Sequence, residues 1–193
     1  NFGTPPDGQN PRMQMFLWDD VLATINGGAL AGTYTATTTR FTDTGEQDGD
    51  STGAPLSENP ITADLFLMDD GSDTPTEACT LGVFSGLEGK IAVIRRGNCN
   101  FTNKIQVAQD SGAVGVLMVN NQAGLVTMSG ATTTINIPAV LITQAVGEEV
   151  ITALQNGEII STTLVNYGLD GSFDNAIIAH EYGHGISNRL VGG

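Results

Sequence analysis

Apolar and polar positions follow one rhythm in the first half of the chain and another in the second. From Arg12 they alternate, Arg12 and Gln14 against Met13, Met15 and Leu17, which is the period of a half-buried strand. Turn residues precede it, Pro5-Pro6-Asp7-Gly8 and Asn10-Pro11. A threonine-rich run from Gly32 to Thr44 reads as β structure with a polar face, and Asp43–Pro55, without apolar periodicity, as a surface loop. Ile61–Met68 alternates as a strand that ends in Asp69-Asp70-Gly71.

After Gly86 the apolar runs become continuous and helical periods appear between them. Lys90–Ile94 predicts a buried strand, left through the turn Arg95-Arg96-Gly97-Asn98. Asn103–Asp110 predicts a short helix with Ile105 and Ala108 on one face. Val114–Val119 and Ile137–Ile142 predict two more buried strands. Gln144–Leu154 predicts a second helix, closed by Asn156-Gly157, and Ile159–Val165 a last strand. Strands alone followed by strands alternating with helices indicate a mixed α/β or α+β chain.

Composition narrows the class. A chain of 193 residues suits one large or two small domains, and a 40% hydrophobic share suffices for a core. The sequence shows no starting Met, no leader pattern and no apolar run long enough for a bilayer, so the mature chain is expected to be soluble. Seven basic against 21 acidic residues give a net charge of −14, which argues against nucleic acid and anionic membranes as partners. Abundant Thr and Gly with few charges is a balance common in secreted β-rich proteins. The even cysteine count, Cys79 and Cys99, then suggests one disulfide; two reduced buried thiols and a two-cysteine metal site are the alternatives. Asp69, Asp70 and Asp73 offer oxygen ligands for calcium but lack the spacing of a calcium loop, so a solvated turn is the favoured reading. One of Arg95 and Arg96 could grip a substrate carboxylate; a surface charge beside a packed stem is the commoner case. Asn100-Phe101-Thr102 fits the N-glycosylation acceptor pattern.

Candidate chemistry concentrates near the C-terminus, in DNAIIAHEYGHGISNRL from Asp174 to Leu190. His180 and His184 stand four apart, so on a helix both imidazoles reach one metal, and Glu181 between them is placed to take a proton from a metal-bound water. Zinc is the metal this donor set favours. Asp174 is a plausible N-cap and Gly192-Gly193 a plausible stop. These are the only two histidines in the chain, which weighs against a pair of surface histidines. Gly183 and Gly185 each cost about 1 kcal/mol against Ala, so such a helix depends on packing.

Two resemblances organise these readings. GKIAVIRRGNCNFTNKIQVAQDSGAVGVLMVNN, Gly89 to Asn121, followed by Ile137-Pro138-Ala139-Val140-Leu141-Ile142 and a helix, resembles protease-associated domains. The resemblance covers roughly Val21 to Val165. It implies a β-rich domain, an open barrel or sandwich flanked by short helices, and a bond between Cys79 and Cys99, as in many such domains. The two ends, NFGTPPDGQNPRMQMFLW and DGSFDNAIIAHEYGHGISNRLVGG, resemble the fungalysin family of secreted zinc metallopeptidases. By that resemblance His180 and His184 are zinc ligands and Glu181 the catalytic carboxylate. The family's third ligand, a glutamate beyond the second histidine, would fall after Gly193.

The expected organisation is α+β. Residues 1–20 would be a strand stub of the catalytic domain, 21–168 an inserted protease-associated domain, and 169–193 the zinc-motif helix stub. The insertion would lie beside the catalytic cleft and either dock protein or peptide substrates and govern access, or be a tolerated insertion with no such role. The remainder of the catalytic domain is then a partner of both stubs. Taken by itself, the chain also reads as a non-catalytic protein-interaction module, and its stubs make a dimer conceivable.

Overall fold

A strand covered on one side alternates apolar with polar residues; a strand covered on both sides is apolar throughout. The second condition holds for Ile91–Arg95 (β5), Gly115–Val119 (β6) and Ala139–Ile142 (β8), whose residues are buried almost without exception. The computed structural model describes residues 17–42, 56, 60–131 and 134–170. Its other strands are Leu17–Asn26 (β1), Gly32–Thr35 (β2), Thr37–Thr42 (β3), Ile61–Leu67 (β4), Met128–Ala131 (β7) and Ser161–Asp170 (β9). Two helices complete it, Phe101–Asp110 (α1) and Gln144–Gln155 (α2).

By contacts the chain divides into two compact units, Val21–Tyr167 and a second made of Asn1–Asp20 with Gly168–Gly193. Of the second, the described residues are 17–20 and 168–170, the ends of β1 and β9.

The strands join in the order β2-β1-β9-β4-β5-β6-β8-β3-β7. At the centre β4, β5, β6 and β8 run parallel, Leu65 opposite Ile91, Ile91 opposite Gly115 and Val116 opposite Ala139. Parallel neighbours need a crossover, and α1 supplies it between β5 and β6. Antiparallel β9 flanks β4 and antiparallel β3 flanks β8. The described residues therefore build one mixed nine-stranded sheet with two helices, an α+β arrangement.

Strand parity divides the core in two. Ile91, Val93, Leu117, Val119, Val140 and Ile142 face one side with Val150 and Ile151 of α2. Ala92, Ile94, Val116, Met118, Ala139 and Leu141 face the other with Ile105, Val107 and Ala108 of α1. Each helix thus covers one face, and the apolar runs follow from that.

Most boundaries follow local chemistry. Pro138 lacks an N–H, so the third central strand begins at Ala139 and not at Ile137, though the Pro138 carbonyl still accepts from Val116 N–H at 2.9 Å. The strand expected over Ile159–Val165 runs instead from Ser161 to Asp170. The alternation from Arg12 to Met15 lies outside the described residues, as does the loop 43–55.

Gly147 shows how closely α2 meets the sheet: a Cβ there would lie 2.2 Å from Val119 Cγ1. Alanine would gain about 1 kcal/mol of helix propensity but must displace a buried β-branched neighbour. Gly147→Ala is expected to destabilise the fold by about 1–3 kcal/mol, read as a lower urea midpoint, and Val119→Ala in the same chain to recover part of that loss. A Gly147→Ala protein as stable as the wild type would show that the approach does not constrain the helix.

Candidate functional site

Parallel strands end on the same side, and here the carboxyl ends of β4 and β5 bring together the acidic turn, the disulfide and the two arginines. After β4 come Asp69 and Asp70, then a short 3-10 turn at Pro75–Glu77; after β5 comes the turn that holds Cys99 and leads into α1. Cys79 and Cys99 form a disulfide, separated by 20 residues in sequence. On the chain-entropy model it contributes about 3 kcal/mol by restricting the unfolded chain. The Glu77 carboxylate adds a second tie, accepting from Asn98 N–H at 2.9 Å and Asn98 Nδ2 at 3.2 Å. Gly97 leaves room for it, since a Cβ there would sit 2.1 Å from that carboxyl group.

The third tie was not anticipated. Lys104 of α1 is fully buried, and its ammonium donates to the Glu77 carbonyl and reaches Cys79 Sγ at 3.5 Å. Burial lowers its pKa from 10.5 to about 8, opposed by the charges of Glu77 and Asp70. A signal was present in the sequence: Lys104 stands one position before Ile105 and four before Ala108, on the inward face of α1.

Arg95 and Arg96 continue the parity of β5 and so diverge. Arg95 turns to the α2 side, where Nε and NH2 donate to the two Glu148 oxygens at 2.8 and 2.5 Å and NH1 to Thr76 Oγ1 at 2.9 Å. The Glu148 hydrogen bond raises the Arg95 pKa, and the Arg95 guanidinium holds the Glu148 carboxyl below its ordinary range. The pair is about a third exposed, so solvent screening limits it to on the order of 1 kcal/mol. Arg96 donates to Asn120 Oδ1 at 2.9 Å and lies 5.7 Å from the Phe101 ring centroid. A substrate carboxylate at Arg95 would have to displace Glu148.

The acidic turn is not uniformly solvated, as its sequence suggested. Asp69 and Asp73 are exposed, but Asp70 is buried. Its Oδ1 accepts from Ser72 N–H and Oγ, its Oδ2 from Thr80 N–H. Burial alone would raise its pKa; the bonds from Ser72 and Thr80 outweigh that and lower it to about 2. Among the described residues no group of three or more His, Cys, Asp or Glu is placed to hold a metal, the calcium candidates included. Asn100 is exposed at the start of α1 and its side chain makes no capping bond. His180, Glu181 and His184 lie outside the described residues. No described helix is long and apolar enough to cross a membrane.

Lys104 gives the fold a pH signature of defined sign. Below about pH 8 it is protonated both folded and unfolded, and the cost of burying the charge is fully present. Between about 8 and 10.5 the folded chain releases a proton that the unfolded chain keeps, so this group makes stability rise with pH. Denaturant midpoints of wild type and Lys104→Met, compared at roughly pH 7 and pH 9.5, are expected to show the rise only in the wild type. Parallel pH dependences would mean that the buried ammonium is not the titrating group.

The family model described as Fungalysin metallopeptidase (M36) matches residues 1–193. Signal peptide peptidase-like 2 of Arabidopsis thaliana is 34% identical over 94 residues, which cover 47% of this chain and 17% of that protein. Minor extracellular protease Vpr of Bacillus subtilis (strain 168) is 32% identical over 76 residues, 39% of this chain and 9% of Vpr. The chain thus spans less than a fifth of either relative. Among solved structures, BSAP, a zinc aminopeptidase from Bacillus subtilis, aligns with a TM-score of 0.53 at 23% identity, over 81% of this chain and 33% of that one, a likeness of fold alone. The family match is of another kind, because it runs the length of the chain: the protein belongs to the fungalysin metallopeptidase family.

Proposed function

We propose that the chain is part of a secreted zinc metalloendopeptidase and that residues 21–168 are a protease-associated domain inserted into its catalytic domain, where they dock protein substrates. The observation that carries this reading is the end-to-end family match, with His180-Glu181-Tyr182-Gly183-His184 inside the matched span. Two imidazoles four residues apart are a donor set that suits zinc, whereas calcium and magnesium take oxygen. His180 and His184 would hold the ion, which when bound acidifies a coordinated water and polarises the peptide carbonyl. Glu181 would serve as the general base toward the attacking water and as the acid toward the leaving amine.

The assignment of residues 1–20 and 169–193 to the catalytic domain draws support from the contact division at Val21–Tyr167. The protease-associated reading draws support from the Cys79–Cys99 bond and from the helix that follows each of β5 and β8. Secretion is supported by that disulfide, by the Thr- and Gly-rich, weakly charged composition and by an extracellular protease among the relatives.

The full-length enzyme is expected to hold one zinc, lost in His180→Ala and in His184→Ala by metal analysis. Glu181→Gln should keep the metal and lose about 10²–10⁴-fold in kcat. Zinc retained in both histidine variants would overturn the ligand assignment. Deleting residues 21–168 should lower kcat/KM for large protein substrates and spare short peptides; equal effects on both would sink the docking role.

A further inference from the structure

The outer edge of β4 is left open part-way along. β9 pairs with it from Ile61 opposite Leu164 to Asp64 opposite Ser161, and the last bond runs from Leu65 N–H to the Ile160 carbonyl at 2.7 Å. Carried on, that register would set Glu158 opposite Leu67. The chain has turned away there, with Gly157 at φ 82° and Glu158 N–H bonded to Ala153.

Backbone groups of a strand point alternately to its two neighbours. Met68 N–H goes to Val93 of β5 and Leu65 N–H to β9, so the Leu67 N–H and C=O point outward, past the end of β9. A groove of ≈ 580 Å³ opens at this place, with Phe66, Phe84 and Pro75 as apolar walls and Asp69 as its charged lining. The large hydrophobic side chains exposed among the described residues stand on segments adjoining it. Leu81 (77% exposed) and Val83 (75%) precede Phe84, and Ile159 (88%) lies just ahead of the last bond to β9. No basic side chain lines the groove, and the exposed acids Asp69, Asp73 and Glu158 stand on the segments around it.

We propose that this edge is where an extended peptide docks, adding itself beside β4 through the Leu67 N–H and C=O, with an apolar side chain between Phe66 and Phe84 and a lysine or arginine toward Asp69. The occupant follows from the chemistry. Unpaired edge groups select an extended backbone, the ring-walled groove an apolar residue, and the acidic surroundings a basic one. The inference rests on the docking role proposed above and gives it a location and a sequence preference.

The test is a titration of the full-length protein, made inactive by Glu181→Gln, with the capped peptide acetyl-Lys-Val-Phe-Val-Arg-amide, followed by fluorescence anisotropy and by the Leu67 amide resonance. Binding is expected to move that resonance and to weaken about tenfold when the peptide nitrogens that face the edge are methylated, the loss of a hydrogen bond. Asp69→Lys should weaken it by a similar factor; the methylated peptide gives the same test without altering the protein. Binding that ignores both changes would overturn the edge while leaving a docking role elsewhere on the domain. No binding to the unmodified edge overturns the proposal, and the deletion assay on large substrates then judges the docking role by itself. A self-association through this edge that the peptide fails to dissolve would replace the peptide with a second copy of the chain and likewise overturn it.

Discussion

The structure depends on one constraint, that β5, β6 and β8 bury both of their faces. A strand with two apolar faces is stable only between two covering layers, and α1 and α2 supply one each. The layers must come close, and Gly147 against Val119 is where α2 does so. With both faces apolar, the polar chemistry of the core strands is displaced to their ends. The alternation that sends Val93 and Ile94 to opposite layers also sends Arg95 to Glu148 on α2 and Arg96 to Asn120 beyond β6.

The carboxyl end of the sheet is consequently a clamp, where the place alone would suggest a binding crevice. Lys104, Glu77, Asp70, Arg95 and Glu148 each meet a partner, and the disulfide fixes the turns that carry them. For the buried members, Lys104 and Asp70, a lost partner would leave an uncompensated ion, whereas the Arg95–Glu148 pair is partly exposed and screened. Such a cluster favours a single arrangement of the loops around it, and its own charges are engaged with one another.

The central strands and both helices were legible because their signals are local, continuous apolar runs and a 3.6 period, though they place the start of β8 two residues early, before Pro138. What was not legible depends on distant partners. Met128–Ala131 has no alternation and becomes a strand only beside β3, Thr39 opposite Met128, far away in sequence. The helix period puts Lys104 on the inward face of α1, but the partner that accepts its charge is a carbonyl 27 residues upstream. The two arginines could not be told apart without the register of β5, which decides the side to which each turns. The pattern from His180 to His184 is of another kind: its spacing proposes a metal site without any tertiary context, and it lies outside the described residues.

The place of the open edge follows from the same constraint. Parallel strands require long crossovers, and α2 is the element that brings the chain from β8 to the outer side of β4. The helix ends at Gln155, and the turn at Gly157 must begin β9 within a few residues. Where β9 begins therefore decides how much of β4 it pairs, and the part left over is the stretch at Leu67. Proteins commonly protect such edges with charge or by covering them. Here Asp69 stands at the opening while Leu81, Val83 and Ile159 remain exposed on the segments around it. An edge kept only to avoid aggregation would gain nothing from those three side chains. Their presence beside unpaired backbone groups fits a surface kept open for another chain.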